Sequence, residues 1–268
     1  VKKLDVESLK LFRDRFAIPV ADDEIEELPY YNPGPDSPEI KYLQERRQAL
    51  GGFLPTRRVV SESLGCPGLD AFKQQLKGTG ERQVSTTMAF VRMLSTLVKD
   101  KNIGHRVVPI VPDEARTFGM EGMFKQLGIY TTEGQKYIPH DVDQVLSYHE
   151  DKAGQILEEG INESGAFCAW MACATSYANH QEPLIPFYIY YSMFGQQRVG
   201  DLTWAAGDIQ AKGFLLGATS GRTTLNGEGL QHQDGHSHLL AATVPNLRSY
   251  DPTYSYEVAV IVQHGLKQ

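Results

Sequence analysis

Apolar residues recur along this chain in two rhythms. Val84, Met88, Val91, Leu94 and Val98 fall at helical spacing and predict a helix over 83–100. Val107-Val108-Pro109-Ile110-Val111 is instead a short continuous apolar run, as expected of a strand covered on both faces. The same reading predicts strands over 154–158, 186–191, 213–219 and 246–250. It predicts helices over 166–178, 201–212 and 236–242. The tail is ambiguous on propensity, because Val258-Ala259-Val260-Ile261-Val262 is β-prone. Asp251-Pro252 upstream reads as an N-cap followed by proline at the first helical position. Val258, Ile261, Val262 and Leu266 also share one helical face, so a helix is predicted there. Strands alternating with helices imply an α/β fold, with a doubly wound, mainly parallel sheet flanked by helices. Ligands of such sheets sit beyond the carboxyl ends of the strands.

The first sixty residues differ in kind. An amphipathic helix is predicted over 1–17 and another helix over 38–50. Between them, Pro29, Pro33, Pro35 and Pro38 deny the chain both helix and sheet ladder, which marks a linker.

Composition narrows the class. With 268 residues and 41% hydrophobic content, the chain can bury a large core. A net charge of −7, with no basic run, argues against a nucleic-acid partner. No apolar run reaches the roughly 18 residues that span a membrane, and the N-terminal residues do not form a signal peptide. Cys66, Cys168 and Cys173 are too few for a disulfide framework and contain no CxxC pair, which suits a reducing, cytoplasmic setting. The chain opens on Val1 and ends just past an apolar stretch, so it is expected to be a segment of a longer protein.

The residues that follow each predicted strand are the ones to inspect. Strand 107–111 leads to Pro112-Asp113-Glu114-Ala115-Arg116, and strand 154–158 leads to Gly160-Ile161-Asn162-Glu163. Tyr191-Ser192-Met193-Phe194 and Arg198 follow strand 186–191, and a glycine-rich loop holding His232 follows strand 213–219. Each has a plain structural alternative. Asp113, Glu114 and Glu163 suit helix starts, Tyr191 and Phe194 suit a core, and Arg198 suits an ion pair. His232, His236 and His238 form an H-x-x-x-H-x-H run around Asp234, which raises a zinc-hydrolase alternative.

Taken together, these segments resemble the pyrimidine-binding domain of the transketolase-like thiamine diphosphate enzymes. The resemblance rests on Glu159-Gly160-Ile161-Asn162-Glu163 running into an alanine-rich helix. It rests also on Tyr191-Ser192-Met193-Phe194 and on Gly227-Glu228-Gly229-Leu230-Gln231-His232-Gln233. The stretches 111–124 and 190–201 are similar more narrowly to the bacterial homodimeric pyruvate dehydrogenase (acetyl-transferring) component. Residues 1–60 would then be the tail of a preceding domain with its linker, and 61–268 the pyrimidine domain. The family's G-D-G motif for metal and diphosphate is missing, since Gly200-Asp201-Leu202 and Gly207-Asp208-Ile209 each lack the second glycine. Those ligands are expected outside this segment, which alone is expected to be inactive.

The resemblance implies oxidative decarboxylation of pyruvate with thiamine diphosphate and Mg2+, and acetyl transfer to the lipoyl group of an acetyltransferase component. It implies a homodimer in which two chains share each site. Glu163 would hydrogen-bond the pyrimidine nitrogen and Phe194 would stack on that ring. Tyr191 and His232 would line the substrate space, Glu114 would stand as a supporting carboxylate, and Arg198 would balance charge near the cofactor. The polar stretch 131–149 is expected to be a mobile cover. Another transketolase-like thiamine enzyme is the main alternative, because substrate class rests on the resemblance alone.

Overall fold

The computed structural model describes residues 4–53, 61–112, 115–220 and 226–268. The chain divides into two compact units, Val1–Arg57 and Arg58–Gln268. In the first, α1 (Val6–Arg15) starts where Asp5 accepts the Ser8 N–H at 2.8 Å. α2 (Pro38–Ala49) starts on the Ser37 cap, with proline at its first position. Residues 28–37 between them hold neither helix nor strand.

The second unit contains, in chain order, α3 (Lys73–Leu76), α4 (Thr86–Leu97), β1 (Val107–Val111), α5 (Phe124–Leu127), β2 (Ile129–Tyr130) and β3 (Glu150–Asp151). There follow β4 (Leu157–Glu158), α6 (Glu163–Ala174), α7 (Ser176–Asn179), β5 (Ile185–Tyr191), α8 (Gln196–Asp208), β6 (Phe214–Ala218), α9 (Ser237–Ala241) and α10 (Ser255–Leu266). The main sheet has the order β4-β1-β5-β6 and is parallel throughout. β4 lies on one side of β1 and β5 on the other. The winding therefore reverses between β1 and β5, and the crevice of such a sheet opens beyond those two strand ends.

The alternation of side chains along each strand builds two apolar layers. Val107, Val111, Phe187 and Ile189 face one way, against Phe90, Met93, Leu94 and Leu97 of α4 and Val258, Ala259 and Val262 of α10. Ile110, Tyr188 and Tyr190 face the other way, against Ala166, Phe167 and Trp170 of α6 and Val199 and Ala206 of α8. Strands apolar on both faces require this double cover, and the predicted α/β class is the one observed.

Several boundaries move for local reasons. The predicted strand 154–158 shrinks to Leu157–Glu158, because the Gln155 and Ile156 amides donate to Gly128 O, at 3.1 Å each. That draws 154–156 toward the small parallel sheet β2–β3. The helix predicted over 166–178 starts at Glu163, where Asn162 Oδ1 accepts the Gly165 N–H at 3.0 Å. It stops before Thr175, whose hydroxyl bonds back to Met171 O at 2.9 Å. The helix predicted over 201–212 begins at Gln196 and carries a kink at Val199.

The strand predicted over 246–250 does not form. Those residues join no ladder, and Asn246 instead donates its side-chain amide to Gly207 O at 2.8 Å. The tail is a helix, but Asp251 does not cap it. Glu257 reaches back to accept the Thr253 and Tyr254 N–H groups at 2.7 and 2.9 Å, and α10 begins at Ser255. Residues 131–149 run between β2 and β3, tied down by an Arg116–Asp141 ion pair and by the Tyr137 and Tyr148 hydroxyls on Glu150. Among the described residues, no helix is long and apolar enough to cross a membrane.

Phe187 stacks on Phe214 at 4.5 Å between ring centres and tilts against Phe90 at 5.5 Å. Phe187→Ala should therefore destabilise the protein by about 3–5 kcal/mol, measured by chemical denaturation. A loss below about 1 kcal/mol would show that this layer is not the core.

Candidate active site

β5 ends at Tyr191, and the next three residues, Ser192–Phe194, form one tight 3₁₀ turn. Gly195 follows, because a side chain there would meet the Tyr190 ring at 2.1 Å. α8 starts at once, so Arg198 falls in its first turn. Four residues beyond β4, α6 begins with Glu163 at its first position. A carboxylate is favoured at that end of a helix.

Glu163 and Arg198 meet. Arg198 Nη1 donates to Glu163 Oε1 at 2.6 Å, with the Glu163 side chain 11% exposed and that of Arg198 48%. The Arg198 guanidinium also lies 3.9 Å from the centre of the Phe194 ring. Phe194, Tyr191 and His232 form one aromatic cluster. The centre separations are 6.0 Å for Tyr191–Phe194, 5.4 Å for Tyr191–His232 and 5.2 Å for Phe194–His232. His232 sits in a short turn, Leu230–His232, and its Nδ1 is buried with no hydrogen-bond partner among the described residues.

Five of the six predicted site residues thus converge in one cluster. The sixth, Glu114, lies outside the described residues. An ion pair whose arginine is half exposed to water contributes only about 0–1 kcal/mol, so stability alone is a weak reason for the arrangement. The zinc alternative gains no geometric support. His236 Nε2 faces Gln197 Oε1 at 3.3 Å and His238 Nδ1 faces Ser249 Oγ at 3.1 Å, while His232 joins the aromatic rings. Among the described residues, no group of three His, Cys, Asp or Glu could hold a metal ion.

Three neighbours were not singled out from sequence. Phe118 packs edge-on against Tyr191 at 5.4 Å. Ser192 donates its hydroxyl to Asp234 Oδ2. Asp234 Oδ1 accepts the His236 and Ser237 N–H groups, each at 3.1 Å. Burial alone would raise the Asp234 carboxyl, but these hydrogen bonds from Ser192, Ser237 and His236 outweigh it and hold it at about 2. The sequence did offer a signal, an aspartate between two histidines, but the spacing pointed to a metal. A cavity of about 750 Å³ runs along β6, and its lining includes Ser192, Gln196, Asp234 and His236.

An open parallel sheet with polar groups gathered at its switch point defines a doubly wound α/β protein with a site at its strand ends. A transketolase from Leishmania mexicana superposes with a TM-score of 0.51 at 16% identity, covering 74% of this chain and 27% of that one. At that identity the likeness shows the fold alone. Residues 64–268 match the family described as the pyruvate dehydrogenase E1 component middle domain, and the chain belongs to that family. It is 65% identical to the pyruvate dehydrogenase E1 component of Pseudomonas aeruginosa over 268 residues, covering 100% of this chain and 30% of that protein. It is 57% identical to the E1 component of Escherichia coli K12 over 269 residues, again covering 100% of this chain and 30% of the relative.

The Asp234 carboxylate has a pH signature. Its folded value, about 2, lies below the usual value of about 3.9. Its charge-linked stability is therefore complete above about pH 4 and is lost as pH falls toward 2. Urea midpoints of wild type and Asp234→Asn should differ by a constant gap down to about pH 4 and converge below it. A gap unchanged down to pH 3 would contradict this.

Proposed function

We propose that this chain supplies the pyrimidine-binding part of a thiamine diphosphate-dependent E1 component that decarboxylates pyruvate. Family membership supports the reading, and the single observation that carries it is the Glu163–Arg198–Phe194 arrangement. A planar group with N–H donors rests on the Phe194 ring and donates to the Glu163 carboxylate. An aminopyrimidine needs two contacts of the same kind, a ring face to stack on and a carboxyl group to share a proton with its ring nitrogen. The buried Nδ1 of His232, without a partner among the described residues, fits a polar ligand at the same place.

When bound, thiamine diphosphate supplies the carbon nucleophile that adds to the keto carbon of pyruvate. Glu163 holds the pyrimidine nitrogen by a shared proton. Phe194 fixes the ring plane. Arg198 is half exposed, so it can yield its place on the ring while still balancing the charge of Glu163. Tyr191 and His232 line the substrate side and hydrogen-bond the carboxylate or oxygen of pyruvate, and Glu114 serves as a supporting carboxylate. Both Gly-Asp pairs of this chain lie in α8, at Gly200-Asp201 and Gly207-Asp208. Mg2+ and the diphosphate are therefore assigned to residues outside this chain.

The chain spans about 30% of the length of the curated relatives it matches. Residues 1–60 would be the end of a preceding domain with its linker, and 61–268 the pyrimidine domain. The full-length protein would work as a homodimer that passes the acetyl group to a lipoyl-bearing acetyltransferase. All three cysteines are free thiols, which suits a cytoplasmic enzyme.

In the full-length E1 component, with thiamine diphosphate and magnesium, Glu163→Ala should lower pyruvate decarboxylation by about a hundred-fold or more, as expected for a lost acid–base group. A near-normal rate with the fold intact would reduce Glu163 to a helix-start carboxylate and overturn the reading.

A further inference from the structure

We infer that Asp234 is a positioning residue that fixes His232 against Tyr191 and Phe194, acting through a hydrogen bond to Ser192. The inference rests on the reading of His232 as an active-site group. His232 comes from the connection between β6 and α9. Its stretch 226–236 holds two single 3₁₀ turns and no strand, and Leu230 in it is 79% exposed. Such a segment has little packing of its own to hold a side chain in register.

Asp234 is where it is anchored. The carboxylate is 7% exposed and Ser192 is 8% exposed. Oδ2 takes the Ser192 hydroxyl, and Oδ1 takes the two N–H groups that open α9. The Asp234 backbone N–H also donates to His232 O at 3.2 Å. Ser192 directly follows Tyr191 and opens the turn that carries Phe194. One buried carboxylate therefore joins the segment after β5 to the segment after β6. β6 makes room for it at Gly217, where an added Cβ would meet Ser192 Oγ at 2.9 Å and Ser192 Cα at 3.2 Å. A charge-assisted, multiply bonded buried group has a fixed geometry that a flexible surface contact lacks.

A purely structural aspartate and a positioning one differ in how they combine with His232. In the full-length enzyme, Asp234→Asn and Ser192→Ala should each lower the decarboxylation rate by about ten- to a hundred-fold, the scale of a misplacement near 1 Å. In a His232→Ala background, Asp234→Asn should cost less than about two-fold more, because the side chain it positions is already gone. Losses that multiply would overturn the positioning role while leaving His232 in the site. A near-normal His232→Ala enzyme would overturn the reading of His232 and the positioning role together. If Asp234→Asn does not fold, Gly217→Ala makes the same comparison, since it crowds Ser192 without removing a polar group. Cofactor-free protein gives a second readout. Limited proteolysis within 227–233 should speed up in Asp234→Asn and stay unchanged in His232→Ala, and equal rates in wild type and Asp234→Asn would count against the tie.

Discussion

Strand β5 puts Phe187 and Ile189 into one apolar layer and Tyr188 and Tyr190 into another. Both layers must be covered, and the rest of the structure follows from that requirement. A strand buried on two faces needs helices on two sides and parallel neighbours. Parallel neighbours need crossover connections, and every crossover starts from the same edge of the sheet. The segments after β1, β4, β5 and β6 therefore gather at one edge whatever their sequences. Chemistry collects where the chain turns out of its core, so Glu163, Tyr191, Phe194 and His232 become neighbours despite wide separation in sequence.

Much of this was legible in the sequence. β1 is found at the residues its apolar run marked, and β5 is found one residue longer than its run. Period and burial fix such strands locally. Glu163 and the Tyr191–Phe194 cluster were legible because strand ends in a parallel sheet predict where a site lies. What escaped depends on partners distant in sequence. The run 246–250 has strand composition, yet its outcome is set by Asn246 bonding to Gly207 rather than by propensity. The start of α10 depends on which carboxylate reaches the free amides, and Glu257 wins over the better-placed-looking Asp251. The pairing of Ser192 with Asp234 spans 42 positions and requires an empty place at Gly217, which no local pattern announces.

The electrostatics of the cluster divide into an open part and a closed part. In the Glu163–Arg198 pair the guanidinium is half exposed to water while the carboxylate is largely covered, so Arg198 is the partner free to move. The Asp234 side chain is mostly covered, and its depressed carboxyl is the mark of a charge satisfied from several sides. The two carboxylates thus suit different work. Under the proposed function, the first would meet a ligand entering the crevice, and the second would keep the surrounding segments in place.

Local rules also break where the site lies. Arg198 puts a positive charge in the first turn of α8, where the helix dipole disfavours it by about 0.3–1 kcal/mol. Val199 beside it leaves helical geometry, with φ −122° and ψ 21°. His232 buries a ring nitrogen that has no partner among the described residues. Each feature is unfavourable where it stands, and each lies in the short segments after β5 and β6. The apolar layers hold one such exception as well, Trp170, whose Nε1 is buried with no hydrogen-bond partner among the described residues. Under the proposed function, a flat ring on Phe194 would relieve Arg198 of its place, and a polar substrate would give His232 Nδ1 a partner.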